Sequence, residues 1–197
     1  MRVSLQVALL LVAAALRAQQ PTPSGLVTTG HLTVNKKAVP YTIRRLPVSA
    51  FPDLPRPVAE ELSRRGCLIP QSYEAHGPEN VIHGSFERAG STDWAVLCSA
   101  QGSVSLLAFF SGALESPVTL ASASETSRLS LRLGWNELGF DWGIDAASPE
   151  RVREAQIGLS PRPRLLDHDA IADSAIEQRT VYRYFSGGAW TQLPLPY

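Results

Sequence analysis

Short apolar runs separated by turn residues fill the middle of the chain, a pattern typical of an antiparallel β-sheet. Four runs, "NVIHGSF", "DWAVLCS", "SVSLLAFF" and "PVTLAS", are joined by loops of three to six residues, lengths that suit hairpins. The run "WAVLC" is apolar at every position and predicts a central strand buried on both faces. "RLSLRLGW" alternates instead, which places Leu129 and Leu131 on one face and predicts a strand with one dry side.

Both ends of this region carry hairpin signals. "LVTTGHLTVNKKAVPYTIRRL" alternates on both sides of a turn near residues 35–37, which predicts a β-hairpin. "TVYRYFSGGAWTQLPL" predicts a second one, because Gly187 and Gly188 can both adopt the positive φ of a two-residue turn. In that register Phe185 faces Trp190.

Helix signals are few and short. Pro57 suits a first helical turn, and residues 58–65 are good helix formers that end at Gly66. Ser148, as an N-cap before Pro149, predicts a second helix. "DHDAIADSAIE" predicts a short third helix that opens at Asp167 or Asp169. The expected fold is therefore α+β, a mostly antiparallel sheet with two or three short helices in a single domain over residues 26–197.

The first residues read as an export signal. Arg2 precedes an apolar run over residues 7–16, and Ala18 provides the small residue of a cleavage site, so residues 1–18 are expected to be a signal peptide. Residues 19–25 follow as a polar, flexible leader. The apolar run has about 10 residues, whereas a membrane span needs roughly 20. We expect no membrane span and a soluble chain, secreted or periplasmic.

Export bears on whether the two cysteines, Cys67 and Cys98, form a disulfide. An even cysteine count in an oxidising compartment favours a disulfide, and two residues allow only one pairing. The alternative is a pair of buried free thiols, since free cysteine packs as a small hydrophobe. We favour the disulfide.

Charge argues against one class of partner. The 197 residues include 18 Lys and Arg against 18 Asp and Glu, so the formal net charge is zero. A chain without excess positive charge provides no field that attracts phosphates. We therefore expect no nucleic-acid partner.

Residues 84–96, "GSFERAGSTDWAV", resemble the FG-GAP repeat, the calcium-loop hairpin of integrin-type propellers. The matching positions are Gly84, Phe86, Gly90, Asp93, Ala95 and Val96. The departures fall on metal ligands, because Ser85 and Ala89 replace carboxylates and Glu87 replaces a third. Calcium takes six to eight oxygen ligands, so we expect a hairpin held by a glycine turn and a capping aspartate without metal. One such hairpin does not make a propeller.

A wider resemblance includes the segments on both sides of this hairpin. "RGCLIPQ", the strand "NVIHGSF" and "DWAVLCS" together resemble an uncharacterised family of exported bacterial proteins. That resemblance implies export and carries no function.

An acidic cluster forms the only candidate metal site. On a helix from Asp169, the side chains of Asp169, Asp173 and Glu177 would lie one turn apart on one face, close to Asp167. Calcium would be the cation outside the cell. The alternative, which we favour, is a solvated acidic helix start, because the spacing lacks the central glycine of calcium loops. We expect no other cofactor.

The sequence carries few signals of catalytic chemistry. The sequence holds no Gly-x-Ser-x-Gly elbow, no His-Glu-x-x-His and no phosphate loop. His83, Ser85 and Asp93 could form a triad on adjacent strands, but His and Ser alternating on one strand are common in any half-exposed sheet.

The loop "LGWNELGFDWGID" is the candidate ligand site. It combines aromatic rings with amide and carboxylate groups, as sugar and peptide sites do, and its candidate residues are Trp135, Asn136, Phe140, Asp141 and Trp142. The alternative, which we favour, is that Trp135 and Trp142 anchor the loop in the core, because large aromatics are highly buried on average.

These observations predict an exported binding or interaction module without catalytic turnover. Its partner would be a protein, a peptide or a glycan. A secreted hydrolase with an unrecognised site and a calcium-stabilised structural domain are the alternatives.

Overall fold

The computed structural model describes residues 25–132, 134, 136–175 and 179–196, and these form thirteen strands and two α-helices. The strands are β1 Val27–Val34, β2 Lys37–Pro47, β3 Leu68–Gln71, β4 Val81–Gly84, β5 Asp93–Ala100, β6 Ser103–Phe109, β7 Val118–Ser124, β8 Leu129–Leu131, β9 Leu138–Phe140, β10 Gly143–Ala147, β11 Ala170–Ala175, β12 Arg179–Ser186 and β13 Ala189–Gln192. The helices are α1 Arg56–Arg64 and α2 Pro149–Ala155. Neither helix has the length and apolar character needed to cross a membrane. The predicted signal peptide and nearly all of the predicted leader lie outside the described residues.

The strands form two sheets. The large sheet has the order β7-β6-β5-β3-β2-β9-β8, with β1 added to β2 and β4 added to β5. The small sheet has the order β10-β11-β12-β13 and is antiparallel throughout. One joint differs, because β2 and β9 run parallel, with Tyr41 opposite Leu138 and Thr42 opposite Gly139. The predicted mostly antiparallel sheet is confirmed, and the parallel joint is a feature that the pattern did not predict.

Strand β5 is the central strand that its continuous apolar run predicts. Ala95 and Leu97 point into the core between the two sheets, whereas Trp94, Val96 and Cys98 point to the opposite face. All five are buried. Because side chains alternate between faces, a strand covered on both sides needs apolar residues at every position.

A helix covers the outer face of each sheet. On α1, Val58 and Leu62 lie four residues apart on one helical face and pack with Leu107 and Phe109 of the large sheet. On α2, Val152 packs with the small sheet. The order of layers is therefore helix, large sheet, small sheet, helix, with the main core between the sheets.

The predicted disulfide is confirmed. Cys67 and Cys98 are bridged, with their Cα atoms 5.0 Å apart, and both are buried. The bridge ties the chain just after α1 to the central strand. It therefore fixes the helix on the sheet at one end.

Several local predictions are also confirmed. Asn35 and Lys36 at the first hairpin, and Gly187 and Gly188 at the last, all have positive φ, as a two-residue turn between twisted strands requires. The side chain of Ser148 accepts a hydrogen bond from the backbone N–H of Arg151 at the start of α2.

Two local predictions are wrong. The segment expected to form a third helix is strand β11, in which Ile171 faces the core between the sheets while Ala170 and Ala172 face α2. Pairing with β10 and β12 on both sides supplies a period of two and overrides the helix-favouring alanines. The alternating run at β8 forms only a three-residue edge strand, and its Leu131 is exposed rather than dry.

Candidate binding site

The structure places the predicted ligand loop mainly inside the core. Phe140, Asp141 and Trp142 are buried, and Asn136 is exposed in the turn between β8 and β9. Trp135 lies outside the described residues. The prediction of an exposed aromatic surface is therefore wrong for Phe140 and Trp142, and the alternative of a core anchor is the observed arrangement.

Trp142 is held from three directions. Its indole N–H donates to a carboxylate oxygen of Asp173 at 2.7 Å, and the guanidinium of Arg128 lies 3.8 Å from the ring centroid. Its carbonyl accepts from the side-chain amide of Asn80 at 3.2 Å. No part of its surface reaches solvent. These contacts make Trp142 a structural residue between the two sheets.

The acidic cluster is dispersed in the fold. Asp167 is exposed and accepts the Tyr184 hydroxyl at 2.6 Å, a hydrogen bond that lowers the pKa of Asp167. Asp169 accepts the backbone N–H of Ser85 at 2.9 Å. Asp173 is buried between Trp142 and Arg183.

The predicted gathering of these carboxylates on one helical face is wrong, because Asp173 lies on a strand and Asp167 and Asp169 precede it. Glu177 lies outside the described residues. Within the described ranges, no group of three or more histidine, cysteine or acidic residues is placed to hold a metal ion.

The hairpin over residues 84–96 forms with Gly84 opposite Asp93. One oxygen of the buried Asp93 carboxylate accepts the backbone N–H of Glu87 at 2.7 Å, and the other accepts that of Ser111 at 2.8 Å. Phe86 is fully buried beneath the loop. Donors of the chain itself thus engage the aspartate that an FG-GAP loop would offer to calcium.

The same contacts separate the three residues of the hypothetical triad. The Ser85 hydroxyl donates to the carbonyl of Ser91, and the carboxylate of Asp93 is engaged by backbone donors. The ring of His83 lies beside Trp94 instead, with ring centroids 5.3 Å apart.

That histidine and tryptophan mark a cavity of about 610 Å³, which we call the Trp94 cleft. Its apolar walls are Phe51, Pro52, Leu54, Pro78, Val81 and Trp94. Asp53, His83 and Thr92 are exposed and line the same cleft. The cleft is thus an apolar cavity with three polar side chains that reach solvent.

The position of the cleft follows from the lengths of α1 and β5. Trp94 lies four residues before Cys98 on the same face of β5, about 13 Å along the strand. Helix α1 has nine residues, about 13 Å of helix, and the disulfide fixes its C-terminal end near Cys98. The helix therefore covers this face of β5 only as far as Trp94. Beyond it, the loop over residues 51–54 forms the wall of the cleft.

The register between β4 and β5 places His83 and Val81 at the cleft. His83 lies opposite Trp94 across β4 and β5, so both side chains point to the face that α1 covers. Val81, two residues before His83, shares that face and packs against the same core as Trp94 and Phe51. The rings of Pro52 and Pro78 stiffen the two loops because each fixes a backbone φ angle.

The sequence predicted Trp94 as a core residue and missed its place beside a cavity. It also assigns no role to Phe51, Pro52 and Pro78, because Pro57 in the first of these segments indicates only the start of a helix. The available signal was a set of apolar side chains between prolines and outside any strand or helix, "SAFPDLP". Such residues need another segment to cover them, and here that segment is the β4–β5 face.

Comparisons of this chain with family models, with curated proteins and with solved structures find no match. The resemblance of residues 84–96 to the FG-GAP repeat therefore stays a prediction, and the geometry of the cleft carries the functional argument.

Proposed function

We propose that the protein is an exported binding module that takes an apolar side chain of a peptide into the Trp94 cleft. The observation that carries the proposal is the cleft itself, about 610 Å³ with largely apolar walls. Ligand sites in proteins are concave, span roughly 300–1,000 Å³ and combine apolar walls with a few polar groups. The cleft meets each of these criteria.

The chemistry of the walls favours a peptide over a glycan. A glycan presents many hydroxyls that lose hydrogen bonds to water unless the site replaces them. The walls of the cleft are rings and aliphatic groups, with Asp53, His83 and Thr92 as the exposed polar residues. Three polar residues suit the backbone N–H and C=O groups beside one buried side chain.

Export rests on two features that agree. Residues 1–18 have the basic start, apolar run and small cleavage-site residue of a signal peptide. The Cys67–Cys98 disulfide is the kind of bond that persists in oxidising compartments. The site of action in this proposal is therefore outside the cytoplasm.

Binding without turnover is the better-supported function, because the groups suggested as a triad are used elsewhere. The Ser85 hydroxyl donates to a backbone carbonyl and the Asp93 carboxylate accepts backbone N–H groups. Neither hydrogen-bonds to His83, which a nucleophile and its base require.

A random-peptide display on the full immobilised protein tests the proposal. We expect the selected peptides to share an apolar or aromatic anchor and to bind wild-type protein in solution. Thr92→Arg places a bulky charge at the cleft and should weaken binding at least tenfold. Thr126→Arg is the matched control, because Thr126 is exposed and does not line the cleft.

Two results would contradict the proposal. One is a set of selected peptides without an apolar anchor. The other is equal binding by the Thr92→Arg and Thr126→Arg proteins.

A further inference from the structure

A second cavity of different chemistry lies where β2 and β9 run parallel. It has a volume of about 300 Å³, and we call it the Arg44 cavity. The lining residues that matter here are Thr42, Arg44, Tyr73, Glu74, Arg132 and Glu137. Two cations and two carboxylates thus share one small space, in contrast to the apolar Trp94 cleft.

The parallel joint fixes one wall. Because Thr42 lies opposite Gly139, its hydroxyl reaches Glu137 and donates to one carboxylate oxygen at 2.7 Å. The guanidinium of Arg132 donates to the other oxygen at 3.2 Å. The Glu137 carboxylate is therefore oriented from two sides before any ligand arrives.

The aromatic ring of Tyr73 forms another part of the wall. Tyr73 donates its backbone N–H to the carbonyl of Phe140 at 2.9 Å, and a Cβ atom on Gly139 would lie only 2.4 Å from the Cβ of Tyr73. Only glycine at position 139 allows this approach. The Arg132 guanidinium lies 5.8 Å from the centre of the Tyr73 ring.

Arg44 is the most informative group in the cavity. Its guanidinium donates to the backbone carbonyls of Ser72 at 3.1 Å and of Ala75 at 3.3 Å, so neutral acceptors hold it in place. Among the residues that the structure describes, no carboxylate oxygen lies within 4.0 Å of Arg44, and no cationic nitrogen lies that close to Glu74. One positive and one negative charge therefore line the cavity without a counter-ion from the protein.

We infer that the Arg44 cavity binds a free α-amino acid as its zwitterion. The carboxylate accepts a charge-assisted hydrogen bond from Nε or Nη1 of Arg44, the donors that the carbonyls of Ser72 and Ala75 leave unused. The ammonium group is received by Glu74, which lines the same cavity as the oriented Glu137. The side chain lies against Tyr73. The volume of about 300 Å³ is at the lower end of known ligand sites, which suits a ligand of this size.

Calorimetric titration of the full protein with the common L-amino acids at millimolar concentration tests this inference. Two analogues of the tightest binder separate the two charges, because its amide lacks the carboxylate and its deaminated acid lacks the ammonium. We expect each analogue to bind at least tenfold more weakly than the amino acid. Loss of a charge-assisted hydrogen bond typically has an effect of that size.

Substitutions assign the binding to this cavity. Arg44→Lys keeps the charge but replaces the guanidinium, whose Nη2 is fixed by two carbonyls, with a single nitrogen that cannot hold the same position. Glu74→Gln removes the charge of an exposed carboxylate. Each should weaken binding at least tenfold. Arg88→Gln is the matched control, because Arg88 is exposed and lies in the loop of the 84–96 hairpin, and its affinity should equal that of wild type. Unfolding curves of all three variants report whether the fold is intact.

Three results would overturn the inference. These are binding of no common amino acid, equal binding of the deaminated acid, and full affinity in both Arg44→Lys and Glu74→Gln proteins. None of them bears on the Trp94 cleft, which has different lining residues and a different probe.

Discussion

Trp142 and Trp94 are both buried, but only Trp94 lies beside a cavity. Trp142 lies between an aspartate and a glycine, in a sequence typical of a solvent-exposed loop. It is nevertheless fully buried and hydrogen-bonded to Asp173. Trp94 begins the apolar run of the central strand and is buried, and it also lines a cavity of about 610 Å³. The difference lies in what each residue meets across the fold. Neighbours in sequence describe only part of that environment.

The contrast shows that a carboxylate close to a tryptophan can indicate that the tryptophan is buried. Asp141 and Asp173 beside Trp142 are themselves buried, and Asp173 is paired with Arg183 at 2.7 Å. A buried indole needs an acceptor for its N–H, so a nearby carboxylate can belong to the core. Trp94, by contrast, has a histidine as its neighbour across the strands and a proline-rich loop as its cover.

The largest expected effect is the loss of Trp142. Trp142→Ala should lower the free energy of unfolding by about 3–5 kcal/mol, because a large cavity opens between the sheets. It also removes the indole donor of Asp173. Denaturant unfolding followed by circular dichroism measures the loss. A change under about 1 kcal/mol would place Trp142 outside the core after all.

Removal of the disulfide should have the second-largest effect on stability, and the effect should be greatest in α1 and the large sheet that contains Trp94. Cys67→Ser with Cys98→Ser frees a loop with a sequence separation of 31, and the chain-entropy model gives a loss of about 3–4 kcal/mol. Hydrogen exchange should speed up in α1 and β5 more than in the small sheet. Equal acceleration in both sheets would show that the bridge does not act locally on the layer that holds the cleft.

A smaller effect concerns pH and the helix beside the cleft. Hydrogen bonds from Arg64 and Arg65 lower the pKa of Glu61 from 4.5 to about 2. A carboxyl with a lowered pKa stabilises the fold above its unfolded value, so this contribution is complete above about pH 4.5 and is lost as the pH falls through about 2.

Unfolding of the wild-type and Glu61→Gln proteins across this range measures the contribution. The difference in unfolding free energy should shrink steadily as the pH falls. A difference that stays constant between pH 4.5 and 2 would mean that the ion pairs contribute nothing to stability.

The smallest effect on stability is expected from His83→Ala. His83 is exposed, and substitutions at such positions usually change stability by within about 0.5 kcal/mol. The same variant should bind the selected peptides less tightly, because the histidine lines the cleft. Calorimetry and thermal unfolding of one preparation give both values. Unchanged affinity would remove His83 from the site.

Local signals predicted much of the fold. Turn residues indicate the two end hairpins, Ser148 with Pro149 indicates α2, and the predicted export signal favours the disulfide. Each of these features depends on residues close in sequence or on a single possible pairing. The same holds for β5, because its apolar run alone reports burial on both faces.

The features that the sequence does not predict depend on contacts between residues far apart in the chain. The alanines of β11 suit a helix as well as a strand, and only its pairing with β10 and β12 decides between them. The parallel joint brings Thr42 to Glu137 across 95 positions. The Trp94 cleft likewise needs Phe51 and Pro78 from separate loops. No periodicity within one segment reports such contacts.

The most direct test of the cleft uses the indole N–H signals of the tryptophans. A ¹⁵N-correlated NMR spectrum of the full protein, with each signal assigned by Trp→Phe substitution, is followed during titration with a display-selected peptide. We expect the Trp94 signal to shift in a saturable way while the Trp142 signal stays in place. Saturable binding that shifts Trp142 and leaves Trp94 unchanged would contradict the account.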